Sequence, residues 1–283
     1  MVLIGFPLWL GDKAKFKYKV DESHKAGFDF IELSLDYPWP VPDSSTPKKI
    51  ADYIREAGLD LAVHGSWRDI RLASPIDEIR EASVKYTLKL LEITEGLEPK
   101  YVVLHVSTDQ AIEEARNFGQ SIIDATSASI QTILDFAFEN GLTILFENVP
   151  SNFCSSIDHI KRAILSVEGS EICFDVGHAQ VQAVRSSNWK EVEVDVVIDE
   201  WFKNLGSKIR GVHVYDCLVE GGWINEHVAP STSSKSIKSL LKWIKDEKSR
   251  VNFVVIEAFK DAKGNEIGPR KLTSLVRQVK TLA

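Results

Sequence analysis

Six histidines and carboxylates lie at the ends of short apolar stretches of this 283-residue chain, where burying an unpaired charge would be costly, and two more histidines lie just beyond such stretches. Imidazole nitrogen and carboxylate oxygen together are the ligands that Zn²⁺, Mn²⁺, Co²⁺ and Fe²⁺ take in proteins. Three carboxylates and five histidines exceed the need of one ion. We therefore expect a carboxylate that bridges ions about 3.5–4 Å apart. The eight residues are His64, His105, Glu147, Asp175, His178, His213, His227 and Glu257.

The apolar stretches recur at a steady interval and are rich in β-branched and aromatic residues. Successive stretches begin about 36 residues apart on average, close to the length of one unit in an eight-unit strand–helix barrel. They cover residues 2–6, 28–34, 59–64, 100–105, 142–147, 171–175, 209–214 and 252–257. The interval predicts eight parallel strands.

Segments with helical periodicity lie between these stretches. The clearest are 77–94, 121–140 and 236–248. Four glycines precede predicted strands, where a left-handed helix C-cap is expected. They are Gly27, Gly58, Gly96 and Gly141.

Apolar strands that alternate with amphipathic helices predict a parallel sheet covered by helices, in the α/β class. We expect one (β/α)8 TIM barrel over residues 1–283. An open doubly wound sheet would place a GxGxxG turn after its first strand, and residues 5–9 read GFPLW instead. Because the carboxyl ends of barrel strands converge, the eight candidate ligands are predicted to meet at one mouth.

Charge and cysteine content narrow the function. The chain has 34 Lys and Arg against 41 Asp and Glu, a formal charge of −7, which disfavours nucleic-acid binding by charge alone. A metal cluster could still supply local positive charge. Cys154, Cys173 and Cys217 lack CxxC spacing and indicate neither a disulfide framework nor a zinc knot. No apolar run reaches the roughly 18 residues that span a bilayer, and we expect a cytoplasmic protein without a membrane partner.

Seven segments carry a family resemblance. They are VHGSWRDIRLASP (63–75), VLHVS (103–107), LFEN (145–148), FDVGHA (174–179), VHVYD (212–216), NEH (225–227) and VIEAF (255–259). In this order and spacing they resemble the xylose isomerase-like TIM barrel superfamily, and within it the endonuclease IV branch, AP endonuclease family 2. The resemblance covers nearly the whole chain and implies the same barrel.

The endonuclease IV resemblance also implies three zinc ions. The first would be held by His64, His105 and a bridging Glu147. The second would take Glu147 again, together with Asp175, His213 and Glu257. The third would be held by His178 and His227, but the family's Asp-Arg-His triplet reads Asn225-Glu226-His227 here, so this site lacks one carboxylate unless Glu226 replaces it.

Two further departures concern DNA. DYPWP (36–40) stands where the family has an arginine on a DNA-binding loop, and VAPST (228–232) replaces a glycine-rich stretch. Trp67 falls where the family carries a DNA-contacting tyrosine. An aromatic residue there could stack on a base or sugar, or simply cap the barrel rim.

Two reactions fit one metal site. The resemblance implies a hydrolase that cleaves a phosphodiester at an abasic site in DNA with metal-activated hydroxide, Glu147 or Glu257 orienting the water. The alternative is an isomerase or epimerase acting on a small sugar or sugar phosphate with one ion, manganese being possible. Glu147 and Glu257 would then be acid and base, and His178 would bind a substrate hydroxyl. A barrel used only for binding is a third possibility, and it predicts low metal content.

Overall fold

The computed structural model describes residues 2–9, 15–36, 45–106, 119–151, 153–190, 192–220 and 223–282. Eight parallel strands among them form a closed barrel: β1 Leu3–Leu8, β2 Phe30–Ser34, β3 Asp60–His64, β4 Val102–His105, β5 Ile144–Glu147, β6 Glu171–Asp175, β7 Ile209–Val214 and β10 Phe253–Ile256. Their order around the barrel is β1-β10-β7-β6-β5-β4-β3-β2. The predicted TIM barrel and its eight strands are confirmed.

Helices follow the barrel strands along the chain. They are α1 Phe16–Ala26, α2 Ser45–Glu56, α3 Asp77–Glu95, α4 Gly119–Glu139, α5 Ile157–His159, α6 Val176–Ser186, α7 Val194–Leu205, α8 Lys235–Ile244 and α9 Thr273–Leu282. The three predicted helices are present, although α8 ends at Ile244, with Lys245 as its C-cap residue, rather than at residue 248. Among the residues described, no helix has both the length and the apolar content to cross a membrane.

Three of the four glycines predicted at helix ends adopt the left-handed conformation. Gly27, Gly58 and Gly141 have φ of 90°, 78° and 66°. Gly96 does not: its φ is −66°, so the prediction was wrong there. The left-handed position after α3 is taken two residues later by Glu98, whose φ is 51°.

Alternation along the strands divides the core into two layers. A large cluster of residues such as Ile31, Val63 and Val102 packs between the barrel and its helices. A small cluster lies on the other strand face, inside the barrel. It contains Phe30, Ala62, Tyr101, Val103, Leu145, Cys173 and Val255. The candidate ligands at the strand ends share the alternation of this inner cluster, and the strands therefore direct them into the barrel mouth.

A hairpin that the sequence analysis did not predict follows β7. It pairs β8 (Asp216–Glu220) with β9 (Trp223–Val228) in antiparallel register. Beyond it the chain runs beside the end of β10, where the amide of Phe259 donates to the carbonyl oxygen of His227 at 3.0 Å and that of Ala229 donates to Lys260 at 2.8 Å. The hairpin thus carries His227 back to the carboxyl end of the barrel.

Candidate metal centre

The carboxyl ends of six strands place six candidate ligands together. His64, His105, Glu147 and Asp175 are the last residues of β3 to β6. His213 is the fifth residue of β7 and Glu257 follows β10 directly. In register, His105 pairs with Glu147 and Asp175 pairs with His213.

Glu147 lies at the centre of this group and is 1% exposed. Its Oε2 lies 3.2 Å from Nε2 of His64 and 3.1 Å from Nε2 of His105. Its Oε1 lies 3.3 Å from Nδ1 of His178 and 3.5 Å from Nδ1 of His213. The two oxygens of one carboxylate therefore face two separate pairs of histidines.

A second group surrounds His213. Its Nδ1 lies 3.5 Å from Oε2 of Glu257 and 3.9 Å from Oδ2 of Asp175. Both Nδ1 of His213 and Oδ2 of Asp175 are buried without a hydrogen-bond partner. Buried polar atoms are normally satisfied, and a divalent cation between these two would satisfy both. The donor set and these orphaned atoms therefore fit a bound metal ion.

Three sets of ligand atoms lie within 4.8 Å of one another. They are His64, His105 and Glu147; then Glu147, Asp175 and His178; then Asp175, His213 and Glu257. Glu147 and Asp175 each belong to two sets, so ions in neighbouring sets would share a carboxylate. Nitrogen and oxygen donors of this kind suit zinc and other first-row divalent ions.

Backbone carbonyl oxygens fix the orientation of three histidine rings. Nδ1 of His64 lies 2.8 Å from the carbonyl oxygen of Gly65, and Nδ1 of His178 lies 3.0 Å from that of Asn148. Nδ1 of His227 lies 3.1 Å from the carbonyl oxygen of Glu257. When the ring is neutral, an Nδ1–H that donates to such an oxygen leaves Nε2 as the nitrogen with the free lone pair.

His227 lines the same cavity but stands apart from the three sets. Its backbone has φ of 58°, a left-handed conformation that is uncommon outside glycine, and its ring lies 4.2 Å from that of Tyr215. Among the described residues, none of the three ligand sets contains His227. Glu226 lines the cavity beside it. The third ion between His178 and His227 stays a prediction, with Glu226 as the neighbouring carboxylate.

The site opens into a cavity of about 1000 Å³ at the mouth of the barrel. Trp9, Trp67, Arg68 and Phe259 contribute to its wall. The guanidinium of Arg68 lies 4.3 Å from the Trp67 ring and forms an ion pair with the buried carboxylate of Asp36. Of the DYPWP segment, which lacks the arginine expected from the family resemblance, residues 37–40 lie outside the described residues.

One buried carboxylate of the site was not predicted from the sequence. Glu32, in the middle of β2, is 2% exposed and its Oε1 lies 3.1 Å from Nε2 of His213. It was overlooked because it does not end its strand. The sequence does contain a signal for Glu32. It lies two residues after Phe30 within an apolar strand, so the two side chains point to the same face, which is the inside of the barrel.

Mutual contacts perturb the pKa values of the buried group. Burial alone would lower the pKa of His64, but the hydrogen bond and charge of Glu147 outweigh it and raise it to about 9. For His178, burial is likewise outweighed, by the charge of Asp175 and the hydrogen bond to Glu147, and the pKa rises to about 10. Burial raises the pKa of Asp175 to about 8.

Three other members of the group have lowered pKa values. Burial lowers the pKa of His105, which favours its neutral form. Burial opposes ionisation of Glu257, but His213, whose Nδ1 lies 3.5 Å from Oε2 of Glu257, lowers the pKa of that carboxyl to about 2. Glu147 behaves similarly: the surrounding histidines overcome burial and hold its pKa well below the ordinary range.

Known proteins resemble this chain in sequence and in fold. A probable endonuclease 4 from Natranaerobius thermophilus is 31% identical over 186 residues, which cover 62% of this chain and 63% of that protein. The chain thus spans less than two thirds of the length of that relative.

Solved structures share the fold over nearly the whole chain. A D-tagatose 3-epimerase-like protein matches with a TM-score of 0.71 at 17% identity, covering 99% of this chain and 98% of its own. Endonuclease IV from Thermus thermophilus matches with a TM-score of 0.62 at 16% identity, covering 99% and 100%. The family described as xylose isomerase-like TIM barrel matches residues 20–275. The chain therefore belongs to the xylose isomerase-like TIM barrel family.

Proposed function

We propose that this chain is a metal-dependent enzyme that hydrolyses a phosphodiester, with an abasic site in DNA as its substrate. The observation that carries the proposal is that the two carboxylate oxygens of Glu147 face different histidines. Its Oε2 faces His64 and His105, and its Oε1 faces His178 and His213. A carboxylate placed in this way suits two adjacent ions rather than one.

The proposed ligands divide into two sets around Glu147. His64 and His105 would hold one ion, and Asp175, His213 and Glu257 the other. Two bound divalent ions, zinc in the first instance, would acidify water and neutralise charge on the attacking and leaving oxygens. The buried, unpartnered atoms of Asp175 and His213 support this assignment.

Glu257 is the carboxylate of the cluster best placed to meet substrate. Its side chain is 17% exposed against 1% for Glu147, and it lines the cavity. We assign it the role of orienting the attacking water. The oxygen of water adds to phosphorus, one phosphorus–oxygen ester bond breaks, and one proton of water ends on the departing alkoxide. His178, which also lines the cavity, would contact the phosphate or the departing group.

The name of the matched relative supports the same reaction. The Natranaerobius thermophilus protein is a probable endonuclease 4 and shares 31% of the aligned residues. Trp67, on the cavity wall and 37% exposed, offers a stacking surface for a base or sugar of the extruded nucleotide.

Sugar isomerisation or epimerisation is the second candidate. The observation in its favour is the cavity of about 1000 Å³, a size that suits a small molecule, together with the fold match to the D-tagatose 3-epimerase-like protein. One ion, such as manganese, would be held by Glu147, Asp175, His213 and Glu257, and Glu147 and Glu257 would move the proton. Against this, both oxygens of Glu147 are engaged by histidine nitrogens, which leaves it poorly placed as a base.

Metal analysis and two assays distinguish the candidates. We expect two to three equivalents of zinc per purified chain, and nicking of a duplex oligonucleotide with one abasic analogue by the zinc-loaded protein. The matched control is the same duplex without the analogue. The outcome that would favour isomerisation or epimerisation over hydrolysis is about one equivalent of manganese per chain, no nicking of the oligonucleotide, and turnover of a ketose or ketose phosphate. Absence of bound metal would overturn both.

A further inference from the structure

A buried carboxylate lies inside the barrel next to the proposed metal centre. Glu32 belongs to β2, whereas its partner His213 belongs to β7, and β1 and β10 separate these strands around the barrel. The Glu32 side chain therefore reaches across the barrel interior. Its Oε1 and Oε2 lie 3.1 Å and 3.3 Å from Nε2 of His213.

Tyr101 holds Glu32 from another side. Its hydroxyl donates to Oε2 of Glu32 at 2.7 Å. The Tyr101 ring is 1% exposed and packs against Phe253 at 4.6 Å and Phe30 at 5.9 Å between ring centres. Burial and the charge of Glu32 raise the pKa of Tyr101 well above its ordinary value, which keeps the phenol protonated as a donor.

This arrangement determines which nitrogen of His213 faces the metal ligands. With Nε2–H donating to Glu32, the ring presents Nδ1 to Glu147 and Glu257, each with an oxygen at 3.5 Å. That Nδ1 is buried and has no hydrogen-bond partner. If the proton were on Nδ1 instead, the lone pair would point at the Glu32 carboxylate and be lost to a metal ion.

We propose that Glu32 is a positioning residue of the metal centre, which accepts the Nε2–H of His213 and so presents the Nδ1 lone pair to the ion shared with Asp175 and Glu257. This inference rests on the proposed metal centre. Carboxylates that hold a ligating histidine in this way fix its tautomer and raise its basicity, and removing one typically costs about 10–100-fold in metal affinity.

Two substitutions separate charge from hydrogen bonding. Glu32→Gln keeps an oxygen that accepts from Nε2–H but removes the negative charge. Glu32→Met keeps a similar volume and removes the acceptor. The matched control is Glu22→Gln, because Glu22 is also a buried glutamate, 3% exposed, but belongs to α1 and pairs with Lys25 and Arg270.

The primary measurement is zinc affinity by competition with a chromophoric chelator at pH 7. We expect affinity to fall about 10-fold in Glu32→Gln and toward 100-fold in Glu32→Met, with Glu22→Gln unchanged. Long-range ¹H–¹⁵N spectra of the zinc-loaded protein provide a second readout. They should show His213 protonated at Nε2 in the native chain, with that signal lost or altered in Glu32→Met.

The possible outcomes are distinct. Native affinity in Glu32→Met, or a lowered melting temperature with unchanged affinity and spectrum, would overturn the positioning role while leaving the metal centre in place. Failure of the native chain to bind zinc, manganese or cobalt would instead overturn the metal centre and this inference with it. A graded loss from Glu32→Gln to Glu32→Met, absent from Glu22→Gln, supports the proposal.

Discussion

His105 and Glu147 lie opposite each other in register on neighbouring parallel strands, with Nε2 of His105 3.1 Å from Oε2 of Glu147. His64 approaches the same oxygen from β3, at 3.2 Å. This side of Glu147 is separate from the set formed by Asp175, His213 and Glu257. The two sides can therefore be tested independently.

His105→Ala should remove one metal equivalent and leave the set around Asp175 loaded. We expect the metal content to fall by about one ion per chain. Hydrolysis should fall by more than about 100-fold, which is the upper range for loss of a residue that only positions a ligand, because His105 is a proposed direct ligand. Elemental analysis and the abasic-site assay measure the two effects. His24→Ala is the control, because His24 lies exposed on α1. Unchanged metal content and intact turnover of a sugar would contradict the two-ion centre.

Metal binding should release protons at neutral pH. In the metal-free protein the pKa values of His64, His178 and Asp175 are about 9, 10 and 8. At pH 7 both histidines are therefore cationic and the Asp175 carboxyl is protonated and neutral. Ligands bind metal in their deprotonated form. We expect zinc binding to release up to three protons from these groups, and affinity to rise with pH between 6 and 8. Calorimetry in buffers of different ionisation enthalpy counts the protons, and a count of zero would refute the assignment.

The metal-free protein should lose stability as pH rises above neutral. The folded pKa values of His64 and His178 exceed the unfolded value of 6.5, and that of Asp175 exceeds 3.8. The folded state therefore binds more protons, and the free energy of unfolding falls as pH rises through 8 to 10. Glu257, with its pKa lowered to about 2, adds the opposite trend, a loss of stability as pH falls below about 4.5. Thermal melts in EDTA from pH 3 to pH 10 should show both losses of stability, one at high pH and one at low pH. A melting temperature that does not change above pH 7 would contradict the predicted loss at high pH.

The strands, and the positions of the candidate ligands at their ends, were predictable because both depend on local patterns. Apolar runs about 36 residues apart specify the barrel, and a polar residue that ends such a run must reach its mouth. Gly96 shows where local pattern fails: glycine permits a left-handed C-cap but does not impose one, and the chain uses Glu98 instead.

The hairpin and Glu32 were not predictable in the same way. The pairing of β8 with β9 contains a register shift near Leu218 and carries polar residues such as Asn225 and Glu226, so the alternation typical of a strand is weak there. Glu32 owes its importance to Tyr101 and His213, which lie 69 and 181 residues away in sequence. Contacts between residues so far apart in sequence form only when the barrel closes. Local periodicity in the sequence does not specify them.

Gly177 is required by the packing of Tyr215. A Cβ at this position would lie 2.0 Å from a carbon of the Tyr215 ring, well inside van der Waals contact. Gly177→Ala should lower the free energy of unfolding by about 1–3 kcal/mol and the melting temperature by several degrees. Because His178 is the next residue, we also expect weaker metal binding. Gly268→Ala is the control, since nothing lies within 4 Å of its added Cβ, and equal melting temperatures for the two variants would refute the packing argument.

Asp36 organises the wall of the cavity without touching the ligand sets. It is fully buried, accepts from the backbone amides of Trp67 and Arg68 at 3.2 Å each, and pairs with the guanidinium of Arg68. Asp36→Asn removes the charge that holds Arg68 in its stacked position over Trp67. We expect the free energy of unfolding to fall by about 1–3 kcal/mol, because a buried charge-assisted hydrogen bond is lost. KM should rise several-fold while metal content stays unchanged, since Trp67 and Arg68 line the cavity and are not ligands.

The control for this variant is Asp60→Asn. Asp60 pairs with Lys100 at 3.3 Å, but both side chains are nearly half exposed, and such pairs contribute little to stability. Denaturant unfolding, metal analysis and steady-state kinetics on the two variants separate the effects. If Asp36→Asn lost metal together with substrate affinity, the wall and the metal centre would be one cooperative unit. If it lost neither stability nor affinity, Arg68 would be held over Trp67 by contacts other than Asp36.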